Sequence, residues 1–421
     1  MLCLCLLAVP SLARGQVDST LAQSYFKEAA ALCERDAGKL WGVSLCGPMV
    51  FADAATKTIA TSQPAPDGPR PHGLGFLNAP VTWGGTRWSA YVWALVRGRD
   101  EQGRGVLFIH ELFHRIQPEL PQMAMTPDQK KLLAATDEND HLDTIDGRYW
   151  LQLEWRALSR ALTSAGTARA AAISDALAFR RARRTTFPAG VTREAAEEIN
   201  EGLAEYTGVV VTAPSTAEAI ALAVRQLAAS EQEDSFVRRF HAASGPAYGL
   251  LLDAFAPGWT RRVTAVDDLA QMLTTAAKIE PARDAAASAV RYRSAELRAA
   301  EEQRDVVHRA RIAELKARFV DDPVLIVPRP TSAAINNTGA TPIPDVGIVF
   351  MDYRSTPPWG SVTATGGVLV LTKGGLMHLT TPFQTSGSTL SGKGWTITLA
   401  AGWTVHPGKR PGDFEIAKTG E

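Results

Sequence analysis

The sequence predicts an α+β protein, in which a large helical part is followed by a small, sandwich-like all-β domain. From Gly105 to about residue 320, apolar residues recur with the period of an α-helix. Beyond Asp321 the chain is rich in Gly, Thr, Val and Pro, and turn signals separate short alternating stretches about every 8–12 residues. A chain of 421 residues also exceeds the size of a typical single core, so more than one domain is expected.

The beginning of the chain predicts export. Residues 1–15, "MLCLCLLAVPSLARG", are apolar but too short to span a bilayer, and they contain the small residues typical of a signal-peptide cleavage site. We therefore expect a periplasmic or extracellular protein with no transmembrane span once the signal is removed. A buried N-terminal helix is the alternative interpretation. The 44 Lys+Arg residues balance the 44 Asp+Glu residues, which argues against a nucleic-acid partner.

Two cysteines, Cys33 and Cys46, remain after removal of such a signal. In an exported protein an isolated pair that closes a short loop predicts a disulfide. The spacing excludes a CxxC-type metal site, and two unpaired buried thiols are the alternative.

The first elements are a helix and several strands. Residues 18–35 have helical spacing, with Asp18 or Ser19 as the N-cap. One or two strands are expected within residues 43–59. Residues 86–98 form the clearest strand of the first half, because they are rich in aromatic and β-branched side chains.

The helical part starts with a helix over residues 105–117, which Pro118 stops. Apolar periodicity and cap residues predict further helices at about 127–136, 143–164, 167–184, 192–211, 215–243, 246–255, 264–277 and 281–318.

The helix over residues 105–117 carries the motif HELFH, in which His110 and His114 are one helical turn apart. Both imidazoles can therefore reach one ion, and Glu111 lies beside that ion without ligating it. This arrangement suits zinc hydrolysis, in which the metal lowers the pKa of a water molecule and a neighbouring base accepts the proton. Two ordinary hydrogen-bonding histidines on a partly buried helix are the alternative.

A tetrahedral catalytic zinc needs a third protein ligand. Leu120 stands where the metzincins have a histidine, but residues 200–206 read NEGLAEY. Together, HELFH and NEGLAEY resemble the gluzincin zinc peptidases, above all the aminopeptidase-N-like group, at the two zinc-binding helices only. The resemblance implies a zincin-like region at residues 16–210, Zn²⁺ as the cofactor and a peptide or protein as the substrate.

The same resemblance implies a role for each matching residue. Glu201 completes the ligand set begun by the two histidines, and Glu111 is the general base that activates a water molecule on the zinc. Gly202 allows the two helices to approach closely. Glu205, one turn after Glu201, orients a ligand histidine, and it is also the alternative third ligand.

Two departures limit what carries over from the family. The 87 positions from His114 to Glu201 are a much longer connection than the family has, and the helices predicted at 143–164 and 167–184 are expected to form a lid or wall there. Residues 83–96 contain no acidic side chain to hold a substrate amine. Aminopeptidase specificity is therefore not expected.

A hydrolase also needs a donor for the developing oxyanion. By the resemblance the family's tyrosine falls near Ala242, so His241 and Tyr248 are the nearest replacements, and Tyr248 fits a helical core equally well. Because Ala242 cannot donate, the alternative function is a catalytically impaired, zinc-containing binding or scaffold protein of the cell envelope.

The remaining expectations concern the flanks of this region. Glu194, Glu197 and Glu198 are expected to form a solvated acidic face.

Residues 211–320 are expected to be a helical region that packs on the catalytic site, and residues 321–421 to form the β-rich domain. In that domain Trp359, Trp395 and Trp403 are expected in the core. A platform for binding a sugar is the alternative.

Overall fold

This computed structural model describes residues 15–134, 139–331, 333–335 and 340–419. The chain divides into two compact units, and the division falls between Arg298 and Ala299. The first unit is mainly helical and the second is rich in β-sheet, so the predicted α+β class is confirmed. The expected signal peptide lies outside the described residues, apart from Gly15. None of the helices in the described ranges combines the length and the apolar character that crossing a bilayer requires.

The first unit contains a helix, a four-stranded sheet and a long succession of helices. Its helices are α1 (Ser19–Asp36), α2 (Trp93–Arg97), α3 (Glu101–Ile116), α4 (Pro127–Ala134), α5 (Ile145–Thr163), α6 (Gly166–Thr186), α7 (Val191–Glu197), α8 (Leu203–Thr212), α9 (Thr216–Ser230), α10 (Phe240–Phe255), α11 (Leu269–Ala277), α12 (Ala285–Ala289) and the start of α13 (Ser294–Lys316). A π-helical turn, Glu198–Gly202, joins α7 to α8. The strands are β1 (Met49–Asp53), β2 (Thr58–Thr61), β3 (Ala79–Trp83) and β4 (Thr86–Val92).

The sheet of the first unit has the strand order β2-β1-β4-β3. β1 and β4 are parallel, and the two outer pairs are antiparallel. The strand predicted over residues 86–98 ends at Val92, because Trp93 and Val96 lie one helical turn apart and both turn inwards in α2. Helix α3 follows directly, so the sheet and the HELFH helix are neighbours in the chain as well as in the fold.

Two long predicted helices are interrupted in the structure. The helix predicted over residues 215–243 is divided between α9 and α10, because the polar residues 231–235 follow the end of α9. The helix predicted over residues 281–318 is divided at Arg293, whose φ of 60° is left-handed and breaks a right-handed helix. The predicted division of the helical part at residue 210 stays a prediction.

The predicted disulfide is present. Cys33 and Cys46 are bonded, with their Cα atoms 5.2 Å apart, and Cys33 lies in the last turn of α1. Asp18 caps the other end of this helix by accepting a hydrogen bond from the N–H of Leu21. The disulfide therefore ties the end of α1 to the segment that leads into β1.

Removal of this disulfide is expected to destabilise the first unit. The double variant Cys33→Ala/Cys46→Ala should lose about 3 kcal/mol of unfolding free energy, because the unfolded chain regains the entropy of a loop of this length. Urea unfolding followed by tryptophan fluorescence measures the loss. The wild-type protein in reducing buffer serves as a second test, and its urea midpoint of unfolding should fall by the same amount as that of the double variant. An unchanged midpoint in both experiments would contradict the prediction.

The second unit begins in α13 and continues into β-strands. These are β5 (Val324–Pro328), β6 (Ala334–Ile335), β7 (Thr341–Ile343), β8 (Gly347–Phe350), β9 (Tyr353–Ser355), β10 (Gly360–Ala364), β11 (Val368–Leu371), β12 (Leu376–Thr380), β13 (Phe383–Ser386), β14 (Thr389–Gly392), β15 (Trp395–Leu399), β16 (Trp403–Pro407) and β17 (Phe414–Lys418). Leu315 and Phe319 pack with buried residues of β7, β8 and β11. This packing explains why the unit starts before the composition changes at Asp321.

The strands of the second unit form two sheets that share one core. The sheet orders are β13-β14-β15-β10-β9-β6 and β16-β17-β5-β12-β11-β8-β7. Buried residues such as Leu325 from one sheet and Ile397 from the other belong to the same apolar cluster. Trp359 and Trp395 are buried in it, and their indole N–H groups donate to backbone carbonyls. Both tryptophans are therefore core residues and offer no exposed platform for a sugar.

Candidate metal centre

Helix α3 is held in place by side chains of β4. The hydroxyl of Ser89 donates to the carbonyl of Glu111 at 2.9 Å, and the hydroxyl of Tyr91 donates to the carbonyl of Phe108 at 2.8 Å. The side chain of Asp100 caps the helix, which begins one turn earlier than predicted. The two side-chain bonds restrict the rotation of α3 about its axis, which decides where its histidines point.

Glycines allow α3 and α8 to touch. A Cβ atom at Gly208 would lie 2.7 Å from the carbonyl oxygen of Val106, and one at Gly105 would meet a threonine side chain of α8 at 2.8 Å. Gly202 was expected to serve this contact, but it faces α10 instead. There a Cβ atom at Gly245 would lie 2.4 Å from the Cα of Gly202. The sequence could not show which of Gly202 and Gly208 faces α3, because both lie on the same helical stretch.

The three side chains expected as metal ligands converge between α3 and the π-helical turn. The Nε2 atoms of His110 and His114 are 3.2 Å apart. Oε2 of Glu201 lies 3.2 Å from Nε2 of His114 and 3.5 Å from Nε2 of His110. Because all three ligand atoms face one point, these side chains can hold a metal ion.

The second ring nitrogen of each histidine has its own partner. Nδ1 of His110 lies 3.1 Å from Oε2 of Glu205, whose other oxygen accepts a 2.7 Å hydrogen bond from Gln226. Nδ1 of His114 lies 3.0 Å from the amide oxygen of Gln117. A hydrogen bond donated from Nδ1 leaves Nε2 free to bind a metal. Sequence reasoning identified Glu205 and missed both glutamines; only Gln117, within one turn of His114, gave any signal.

Glu201 is the open side of the group. Its side chain is 34% exposed, against 15% for His110 and 12% for His114. The amide of Asn200 donates to Oε1 of Glu201 at 2.7 Å, so the oxygen that faces the histidines stays available. The group is therefore reached from solvent past Glu201.

Glu111 lies beside the triad and is almost fully buried, at 5% exposure. Its Oε2 atom has no hydrogen-bond partner in the part of the chain that the structure describes. Burial raises its pKa above the ordinary value, although His110 and His114 oppose this increase. A carboxylate that binds a proton more readily than in water is suited to act as a general base.

The triad is strongly coupled electrostatically. Burial lowers the pKa of His110, but hydrogen bonds to Glu201 and Glu205 outweigh this effect and raise the pKa to about 10. Burial likewise opposes ionisation of Glu201, yet the two histidines hold its pKa far below the ordinary value. A metal ion that binds through His110 must therefore displace a proton.

Comparison with protein-family models, with curated proteins and with solved structures finds no match for this chain. The chemistry of the site must therefore be argued from its own residues.

The two residues expected as oxyanion donors lie in different places. Burial lowers the pKa of His241 below its ordinary value, and the charges of Glu201, His110 and Glu205 also act on it. The structure does not bring Tyr248 to the triad. Its hydroxyl donates to Oε1 of the buried Glu154 at 2.7 Å.

Glu154 belongs to a buried ion-pair network that sequence reasoning missed. Arg180 donates to Glu154 and to both carboxylate oxygens of Glu198, while Arg183 donates to Glu154 and to both oxygens of Glu194. All five side chains are at most 2% exposed. The network joins α5, α6, α7 and the π-helical turn, which carries Glu201.

The expected solvated acidic face is therefore wrong for Glu194 and Glu198, and the side chain of Glu197 is only 14% exposed. Glu194 and Glu198 are buried among the arginines, and His141 adds a 2.7 Å contact to Glu194. Although burial opposes it, Arg183 and His141 hold the pKa of Glu194 well below its ordinary value. Spacing along one helix could not reveal these partners, because the arginines come from α6.

Proposed function

We propose that this protein is an exported zinc-dependent metallohydrolase that acts as a peptidase of the gluzincin type. The observation that carries the proposal is the convergence of two histidines and Glu201 on one point, with Glu111 buried beside them. The resemblance of HELFH and NEGLAEY to the gluzincin motifs supports the same assignment.

The separations between the ligand atoms favour zinc. Tetrahedral ligands at about 2.05 Å from a zinc ion are about 3.3 Å from one another. The three separations here are 3.2, 3.2 and 3.5 Å. Two imidazoles and one carboxylate are also the ligand set of known catalytic zinc sites.

The residues around the triad have separate roles in the proposed hydrolysis. When bound, the zinc ion supplies a Lewis acid and lowers the pKa of water. Glu111, whose pKa is raised by burial, accepts the proton of the attacking water and passes it to the leaving amine. His241, whose pKa is lowered by burial, donates a hydrogen bond to the developing oxyanion. Glu205 and Gln117 hold the ligand imidazoles in the orientation that exposes Nε2.

Export is supported by two independent features. The apolar residues 1–15 resemble a signal peptide, and the bond between Cys33 and Cys46 forms and persists in oxidising compartments. The periplasm or the extracellular space is the proposed location.

Metal analysis and a peptide-library assay test the proposal together. The purified protein should contain about one zinc per chain, and cleavage of the library should stop with a chelator and return with added zinc. A protein that takes up no zinc would contradict the proposal, and so would cleavage that a chelator does not affect.

A zinc-containing scaffold without turnover is the second candidate function. It is favoured by the absence of a donor side chain at Ala242 and by the engagement of Tyr248 with Glu154. One zinc per chain, no cleavage of any library peptide and tight capture of a partner would support it over the peptidase.

A further inference from the structure

Four glutamates on one helical stretch face two different partners. Glu194, Glu198, Glu201 and Glu205 are spaced so that a regular α-helix would present all four on the same side. In the structure the first two bind arginines of α6, and the last two bind histidines of α3. The two pairs of glutamates therefore meet different neighbouring helices, and the change of partner falls between Glu198 and Glu201.

The π-helical turn Glu198–Gly202 makes this change. A π-turn closes its hydrogen bonds over one more residue than an α-turn, so the residues after it are rotated about the axis. Asn200 and Glu201 lie inside the turn. Because π-helical turns are rare, other contacts must favour this one over a regular α-helix.

Contacts on two sides hold the turn. On one side the guanidinium of Arg180 donates to both oxygens of Glu198, including a 2.8 Å bond to Oε1, and the two side chains are 2% and 0% exposed. A forked, buried pair of this kind fixes distance and orientation together. On the other side Gly202 meets Gly245 of α10 with no room for a Cβ atom.

We propose that Arg180, through its buried pair with Glu198, is a positioning residue that holds the π-helical turn so that Glu201 meets the two histidines. This inference rests on the proposed function, because it makes the affinity for zinc depend on Arg180, which acts through Glu198 and not directly on a metal ligand. It also gives a role to the long connection between His114 and Glu201. Helix α5 of that connection supplies Glu154, and α6 supplies Arg180 and Arg183. The connection therefore helps to hold Glu201 in position.

Two mild substitutions test the proposal in the full-length protein. Arg180→Lys keeps the positive charge but loses the fork, and Glu198→Gln keeps the shape but loses the negative charge. Each should weaken zinc binding by about 10–100-fold, the usual effect of removing an outer partner of a metal site. Competition with a zinc-binding dye measures the affinity. Amide hydrogen exchange of residues 198–202, measured in metal-free protein, should become faster in both variants.

Asp175→Asn is the matched control. Asp175 lies on α6, the helix that also carries Arg180. It is 2% exposed and pairs with Arg291, which is not part of the π-helical turn. Its loss should lower stability without changing zinc affinity or exchange at residues 198–202. Unchanged affinity and exchange in both test variants would overturn the inference, as would an equal effect in the control. A wild-type protein that binds no zinc would overturn the proposed function instead, while the exchange experiment would still test the hold on the turn.

Discussion

The variant Glu111→Gln is expected to lose hydrolysis while it retains zinc. The change removes a base but leaves the two histidines and Glu201 untouched, so kcat should fall by about 10²–10⁴-fold. The side chain keeps its shape in a pocket where it is only 5% exposed, so little change in stability is expected. Cleavage of the best library peptide and zinc content per chain are the two measurements.

Glu101→Gln is the control for this experiment. Glu101 lies on the same helix, α3, but is exposed in its first turn, far along the helix from the HELFH motif. It should leave kcat and zinc content unchanged. Full activity in Glu111→Gln would remove the general base from the mechanism, and loss of zinc would show that Glu111 helps to hold the metal.

The variant Glu201→Ala is expected to lose more than about 100-fold in zinc affinity, beyond the range for an outer partner of a metal site. Among the residues that the structure describes, only Glu201 places a carboxylate oxygen within 3.5 Å of Nε2 of both His110 and His114. Competition with a zinc-binding dye measures the change, and thermal unfolding shows whether the variant is folded.

Glu205→Ala and Glu197→Gln complete this comparison. Glu205 contacts the triad through Nδ1 of His110, the nitrogen that faces away from the site, so its removal should cost about 10–100-fold in affinity. Glu197, one turn before Glu201, binds Arg193 and Asn139 and should have little effect. If Glu205→Ala loses more zinc affinity than Glu201→Ala, Glu205 is the ligand and Glu201 is the orienting residue.

Two members of the candidate metal site could be predicted from the sequence because they lie at a short, fixed spacing. His110 and His114 are one turn apart on a single helix, so local geometry alone brings them together. The candidate third ligand, Glu201, was predicted through its motif, since no spacing rule connects residues 87 positions apart. The disulfide and the α+β class also follow from local signals, namely cysteine spacing and the change of periodicity along the chain.

The contacts between helices could not be predicted in this way. Glu194 and Glu198 look like part of a solvated face, because nothing near them in the chain reveals the arginines of α6. A π-helical turn has no sequence signature in the apolar pattern, so the separation of Glu198 from Glu201 was not foreseen. Tyr248 was one of two candidate oxyanion donors and fitted a helical core equally well; its hydroxyl donates to the buried Glu154, a partner on α5 that spacing along the chain could not reveal.

The exposure of Glu201 affects how a metal ion would enter and leave the triad. The most exposed member of the triad, Glu201, lies on a different helical stretch from the two histidines, whose Nδ1 atoms have partners of their own. An ion would therefore be exchanged past Glu201 without unfolding of the protein. Under the proposed function, the fraction of protein that holds zinc would therefore depend on the zinc concentration of the surrounding solution.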